Sequence, residues 1–185
     1  MRRVRYGVGM SLDGFIADGH DGTSWMIGDP SYDSKPFFAS IDTVLVGRRS
    51  YEVMLRHRTR SYPGLRTYVF SRTLRATDYP EVTILGDNGV ATVAELRAGA
   101  GKDIWLCGGG DLFRSLLDAD LVDGIELGVC PILLGEGRPF LPSPARSHHL
   151  TLTHQEVFPS GLLVLHYDVE RGASEQAALR TDPRS

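Results

Sequence analysis

A chain of 185 residues has room for one domain with a sizeable core, and nothing in it argues for a second. Its composition, 42% hydrophobic and 23% charged, is ordinary for a soluble globular protein. A net charge of −3 gives no reason to expect nucleic acid or an anionic membrane as a partner, and no apolar run approaches the ~18 residues that cross a bilayer.

The basic N-terminus is followed at 6–13 by a stretch too short and polar for a signal-peptide core. Residues 4–10 read as a first strand that ends in the turn Ser11-Leu12-Asp13-Gly14. Glycines at 7 and 9 weaken that strand but let another backbone or a ligand come close. Phe15-Ile16-Ala17 follows, then a loop rich in glycine and aspartate over 18–22. A weak helical pattern covers 32–40, with Phe37, Phe38 and Ile41 apolar. Residues 42–47 form the next strand and 48–55 the helix after it. A strand at 66–70 ends at Ser71-Arg72, 82–85 is a short strand, and 92–97 reads as helix. The run 103–107 is a buried strand stopped by Gly108-Gly109-Gly110, after which Leu112, Phe113, Leu116 and Leu117 recur at helix spacing. A strand at 124–130 leads into a loop rich in glycine and proline over 131–144. Strand patterns at 150–158 and 162–169 flank Pro159-Ser160-Gly161 and make a hairpin. From 172 to 185 the chain is polar and expected to be disordered, which leaves one domain over 1–171. Strands alternating with helices and then a hairpin argue a three-layer α/β fold. Its central sheet is mixed but mostly parallel, with flanking helices and a C-terminal antiparallel hairpin.

Three sites fall at the C-terminal ends of expected parallel strands: Gly47-Arg48, Ser71-Arg72 and Gly108-Gly109-Gly110. Ligands bind along that edge of an open α/β sheet. Arg48 opens a helix, where a cation is mildly unfavourable unless an anion joins it. Ser71 and Arg72 offer a hydroxyl and a charged fork suited to a phosphate monoester. The glycine turn either cradles a phosphate at a helix start or is a plain tight turn. Either arginine alone is equally at home on a solvated surface. Gly7-Val8-Gly9 lacks the third glycine and following helix of a dinucleotide fingerprint, and no GxxxxGK[ST] occurs, so a nucleotide here needs another geometry. His148, His149 and His154 belong to no set with metal-ligand spacing, so no metal is expected. Cys107 and Cys130 sit in apolar runs and read as free thiols, which suits the cytoplasm.

Four segments in register resemble the dihydrofolate reductase-like superfamily, in particular the C-terminal reductase domain of bacterial riboflavin biosynthesis proteins. They are Met10-Ser11-Leu12-Asp13-Gly14-Phe15-Ile16-Ala17, Val46-Gly47-Arg48-Arg49-Ser50-Tyr51-Glu52, Phe70-Ser71-Arg72, and Cys107-Gly108-Gly109-Gly110 followed by Asp111-Leu112-Phe113. The resemblance spans roughly 4–169 and implies an NADPH-dependent reductase that delivers a hydride to a small heterocycle or carbonyl, pyrimidine- or pteridine-like. It assigns the 2′-phosphate and neighbouring phosphates to Arg48, Ser71 and Arg72, with Arg49 and Ser50 on the same helix start. It assigns the pyrophosphate to Gly108, Gly109, Gly110, Asp111 and Leu112, and backbone contacts to Ala17 and Gly47. It also implies a cis bond between Gly108 and Gly109, and a homodimer.

Three acids are candidates for the substrate side. Asp33 lies four residues before Phe37, a spacing that resembles the acid and aromatic of folate reductases; it also suits a plain helix start. Asp13 and Glu126 resemble substrate-side acids of the riboflavin-type reductases. Asp13 equally suits its turn, whereas Glu126 in an apolar strand needs a partner. The competing reading is a non-catalytic NADP(H)-binding or regulatory protein on the same fold.

Overall fold

A computed structural model describes residues 1–170; residue 171 and the polar tail expected at 172–185 lie outside the described residues. The chain opens with β1 (Val4–Ser11), β2 (Phe15–Ala17), α1 (Lys35–Ser40), β3 (Ile41–Gly47), α2 (Arg48–Arg56) and β4 (Arg66–Phe70). There follow β5 (Thr83–Leu85), α3 (Gly89–Ala98), β6 (Asp103–Gly108), α4 (Gly110–Asp118), β7 (Gly124–Cys130), β8 (Arg138–Pro139), β9 (Leu150–Val157) and β10 (Leu163–Val169). Eight strands form one sheet in the order β5-β4-β3-β6-β1-β7-β10-β9, and β2 pairs with β8 apart from it. Every pairing from β5 across to β7 is parallel, whereas β10 runs antiparallel to both β7 and β9. The mostly parallel sheet with a terminal hairpin is therefore the fold observed.

Each face of the sheet is covered by helices, and α2 and α4 each turn one apolar stripe to it. On one face α4 buries Leu112, Phe113, Leu116 and Leu117 against Tyr6 and Leu106, with Val93 of α3 beside them. Burial of such side chains contributes about 1.5–3 kcal/mol apiece. The Phe113 ring stacks on Tyr6 with centroids 4.0 Å apart. On the other face Tyr51 of α2 and Phe37 close over Val44, Val46 and Trp105.

From β3 the chain crosses through α2 to β4 on one side, and from β6 it crosses through α4 to β7 on the other. Neighbouring strands whose crossovers leave in opposite directions open a crevice at their C-terminal ends. Here that crevice lies between Gly47, which ends β3, and Gly108, which ends β6.

Three local readings change. Helix α1 starts at Lys35 rather than 32, because Pro36 fits the first turn and not the turns before it. Helix α3 starts at Gly89, three residues earlier than its apolar pattern indicated. The glycine- and proline-rich loop contains the two-residue strand β8, which pairs with β2 across Phe15, Ala17, Arg138 and Pro139.

Candidate active site

A cavity of about 920 Å³ runs along the crevice and over the C-terminal ends of β3, β4, β5 and β6. Its walls bring together Ala17, Gly47, Arg48, Arg49, Ser50, Ser71, Arg72, Gly108, Gly109, Gly110, Asp111 and Leu112, so all the cofactor-side candidates share one cavity. The glycines are needed for space. A Cβ on Gly47 would lie 3.2 Å from the Gly109 nitrogen, and one on Gly110 2.6 Å from the Pro139 carbonyl oxygen. Gly108 has φ +140° and is joined to Gly109 by a cis bond. Helices α2 and α4 both start at glycines with no side-chain cap. Their first N–H groups therefore face the same cavity, a geometry that favours an anion.

Two of the cations around this cavity hold only loose partners. Arg48 pairs with Glu52 one helical turn on at 2.7 Å, and Arg72 Nε with Asp87 at 2.6 Å, with all four side chains largely exposed. Exposed pairs of this kind contribute little, so either guanidinium can turn to an incoming anion. Ser71 is buried, and its hydroxyl accepts from the N–H groups of Thr73 and Leu74, which fixes the turn that carries Arg72. The rim opposite is clamped by Arg138, whose Nε donates to Asp21 at 2.6 Å.

At Gly7–Gly9 and Trp105 the first cavity meets a second, of about 340 Å³, with Met26 also common to both. The close approach expected at Gly7 and Gly9 is made here by side chains. Trp105 Nε1 donates to the Gly7 carbonyl at 2.9 Å, and Met26 Sδ lies 2.8 Å from where a Gly9 Cβ would be. Phe37 and Phe38 meet the Trp105 ring edge-on at 5.5 and 5.7 Å and make an aromatic wall. The strand register sets Gly7, Glu126 and His166 side by side across β1, β7 and β10. Glu126 Oε1 accepts from Arg5 at 2.7 Å, and its Oε2 lies 3.8 Å from His166 Nε2. Arg5 also pairs with Asp103 and lies over the Phe37 ring. Burial, only partly offset by the Glu126 charge, holds the His166 pKa below the usual imidazole value.

The three acids part company. Glu126 lines the second cavity; Asp13 and Asp33 line neither. The Asp13 carboxylate accepts from the Ser11 hydroxyl at 2.6 Å, from the Leu134 N–H and, at 2.7 Å, from the Gly135 N–H. Those bonds, the Ser11 one first, lower its pKa and fasten the turn after β1 to the loop after β7. Asp33 falls outside the helix because α1 starts at Lys35, so its spacing to Phe37 does not bring the two to one face. Its Oδ1 accepts the Lys35 N–H at 3.0 Å. Trp105, Met26, Arg5 and His166 were not singled out from sequence. A histidine three strands on from Glu126 in chain order becomes its neighbour only once the β7–β10 register is known.

Among the described residues no helix is long and apolar enough to cross a membrane, and no group of three or more potential metal ligands occurs. The chain is 31% identical over 178 residues to the uncharacterised protein YyaP of Bacillus subtilis, covering 90% of this chain and 94% of that one. A putative riboflavin biosynthesis protein from Shewanella sp. PV-4 superposes with a TM-score of 0.76 at 25% identity, over 92% of this chain and all of the other. Dihydrofolate reductase from Enterococcus faecalis, complexed with NADP(H), shares the fold with a TM-score of 0.66 at 15% identity, over 91% of this chain and 96% of that one. The family model of the RibD C-terminal domain matches residues 2–164, and with that match over most of its length the chain belongs to the RibD C-terminal domain family.

Proposed function

We propose that the protein is an NADPH-dependent reductase that transfers a hydride to a small heterocyclic or carbonyl substrate, pyrimidine- or pteridine-like. The observation that carries this reading is the junction of two cavities at Gly7–Gly9 and Trp105, one long and rimmed by arginines, the other smaller and mostly apolar. A reductase needs its two reactants in contact but separately held. The residues of the long cleft fit a phosphorylated dinucleotide. Two uncapped helix starts, close-packed glycines and loosely paired guanidinium groups suit phosphates.

In this reading Ser71 and Arg72 would hold the 2′-phosphate, with Arg48, Arg49 and Ser50 on neighbouring phosphates. Gly108, Gly109 and Gly110, with the N–H groups of Asp111 and Leu112, would line the pyrophosphate; Ala17 and Gly47 would contribute backbone contacts. NADPH, when bound, supplies the hydride. Charge left on nitrogen or oxygen calls for a proton. Glu126, alone among the three candidate acids in lining the second cavity, would hold that proton or its donor, steadied by Arg5. The NADP(H) complex of the Enterococcus faecalis reductase lends support to a nucleotide on this fold. The free thiols of Cys107 and Cys130 suit a reducing compartment such as the cytoplasm. The homodimer reading is supported by β9, an edge strand exposed along its whole length; light scattering at micromolar concentration should give twice the chain mass.

Calorimetric titration tests the reading. NADPH should bind saturably and NADH much more weakly, and Arg72→Ala should weaken NADPH about tenfold or more with little effect on NADH. Failure of both nucleotides to bind would overturn it. Binding of NADPH without turnover on any pteridine or pyrimidine would favour the regulatory alternative.

A further inference from the structure

We propose that Arg138 is a ligand of the dinucleotide's pyrophosphate and that, through the bond it keeps to Asp21, it ties the loop at 18–22 to the bound nucleotide. The inference rests on the nucleotide reading of the long cleft and adds to it a residue outside the four sequence segments that suggested it.

The small sheet of β2 and β8 places Arg138 opposite Ala17. Gly137 makes that approach possible: its φ is +149°, and a Cβ there would lie 2.1 Å from the Ala17 carbonyl oxygen. One residue on, the Pro139 carbonyl packs against Gly110, the first residue of α4. Arg138 therefore lines the long cavity beside the helix start whose N–H groups suit a phosphate.

Charge on this rim calls for a cation. Asp111 opens α4, Asp21 sits in the loop after β2, and both line the cleft. A dianion at the start of α4 would meet those two carboxylates, which repel it. Among the described residues Arg138 is the only cation lining this side of the cleft. Both acids raise its pKa, Asp21 first, through the bond it accepts from Nε at 2.6 Å. The Nη1 and Nη2 groups of Arg138 have no partner among the described residues. A guanidinium presents five N–H donors in a planar fork, so one edge can keep Asp21 while another takes a phosphate oxygen; a lysine ammonium, a point charge on a flexible stem, fixes neither direction. The Arg138 and Asp21 side chains are 43% and 22% exposed, so as an ion pair they contribute little to stability. Beyond them the loop is closed on itself: Asp18 Oδ1 accepts the N–H groups of His20 and Gly22, both at 2.8 Å. The chain then runs through Thr23 to Met26, which lines both cavities. A phosphate held by Arg138 is thereby linked to a side chain at the junction of the two.

Calorimetry on the full chain tests this with three nucleotides. NADPH is the first; 2′-phospho-ADP-ribose keeps the pyrophosphate without nicotinamide, and adenosine 2′-monophosphate keeps only the 2′-phosphate. Arg138→Ala should weaken the first two about tenfold or more and leave the third, which also reports folding, within about twofold. Arg72→Ala should weaken all three. Hydrogen exchange gives a second readout. Saturating 2′-phospho-ADP-ribose should slow exchange at 21–26 in the wild-type chain but not in Arg138→Ala, at concentrations that fill both. Arg138→Lys should regain part of the affinity and none of that protection. The proposal is overturned if Arg138→Ala binds NADPH as tightly as the wild type, if it weakens adenosine 2′-monophosphate as much as NADPH, or if 21–26 stay protected without the guanidinium. Absence of NADPH binding to the wild-type chain fails the nucleotide reading and the proposal with it, whereas wild-type binding that Arg138→Ala leaves intact fails the proposal alone.

Discussion

Cys107 lies on the cavity wall one residue before the glycine turn, and burial pushes its thiol up to about 11 from an ordinary value of 9.0. Its neighbour Tyr62 shares a hydrogen bond with it at 3.4 Å. A thiol kept protonated is a poor nucleophile. Alkylation of Cys107 by iodoacetamide should therefore be slow at pH 8, accelerate above about pH 10, and be suppressed by NADPH if the nucleotide fills this cleft. Peptide mass mapping separates it from Cys130, which is buried and should label more slowly still. A folded-state pKa above the unfolded one contributes stability fully present below about pH 9, lost as the pH rises toward 11. At the same scale Asp13 and Asp33 should behave differently from Glu126. Asp13→Asn should leave nucleotide binding within about twofold, since the side chain touches neither cavity. It should speed hydrogen exchange at Leu134 and Gly135, whose N–H groups it now fastens.

The helix starts decide how much of the site was legible before the fold was known. Gly47-Arg48 and Cys107-Gly108-Gly109-Gly110 announce themselves because each joins a strand pattern to a helix pattern, and both ends of that junction are local. The same locality fails at Asp33, whose four-residue spacing to Phe37 spans no helical turn because Pro36 sets the helix start later. Strand β8 was illegible because two residues carry no periodicity, and only their pairing with Phe15 and Ala17 of β2 makes them a strand. Glu126 could be suspected from its apolar strand, but its partners Arg5 and His166 come from strands 121 and 40 residues away in the chain and are set by register alone. Steric demand at α4 gives a direct check. A Cβ on Gly110 would meet the Pro139 carbonyl at 2.6 Å and the Phe140 carbonyl at 3.1 Å, both backbone atoms that cannot step aside. Gly110→Ala should cost about 1–3 kcal/mol in urea unfolding, with an unchanged m-value. It should also weaken NADPH, because the loop after β8 and the first turn of α4 separate together.

At the scale of the whole molecule the cleft is built by both faces of the sheet at once. Helix α2 covers one face and α4 the other, yet their starts meet across β3 and β6 at the same edge. A ligand spanning that edge ties together the two layers, which otherwise communicate through the sheet alone. Anything that binds the folded chain and not the unfolded one stabilises it by mass action, about 2.7 kcal/mol at a concentration of one hundred times Kd. For a domain of this length that corresponds to a rise in Tm of roughly 5–10 °C. NADPH should produce that rise and NADH at the same concentration should not. Arg72→Ala should reduce the NADPH shift while leaving the melting temperature of the unliganded protein nearly unchanged, because the Arg72–Asp87 pair it removes is exposed on both sides. Equal shifts with the two nucleotides would move the selectivity away from Ser71 and Arg72. A shift from neither would empty the long cleft of its assigned occupant.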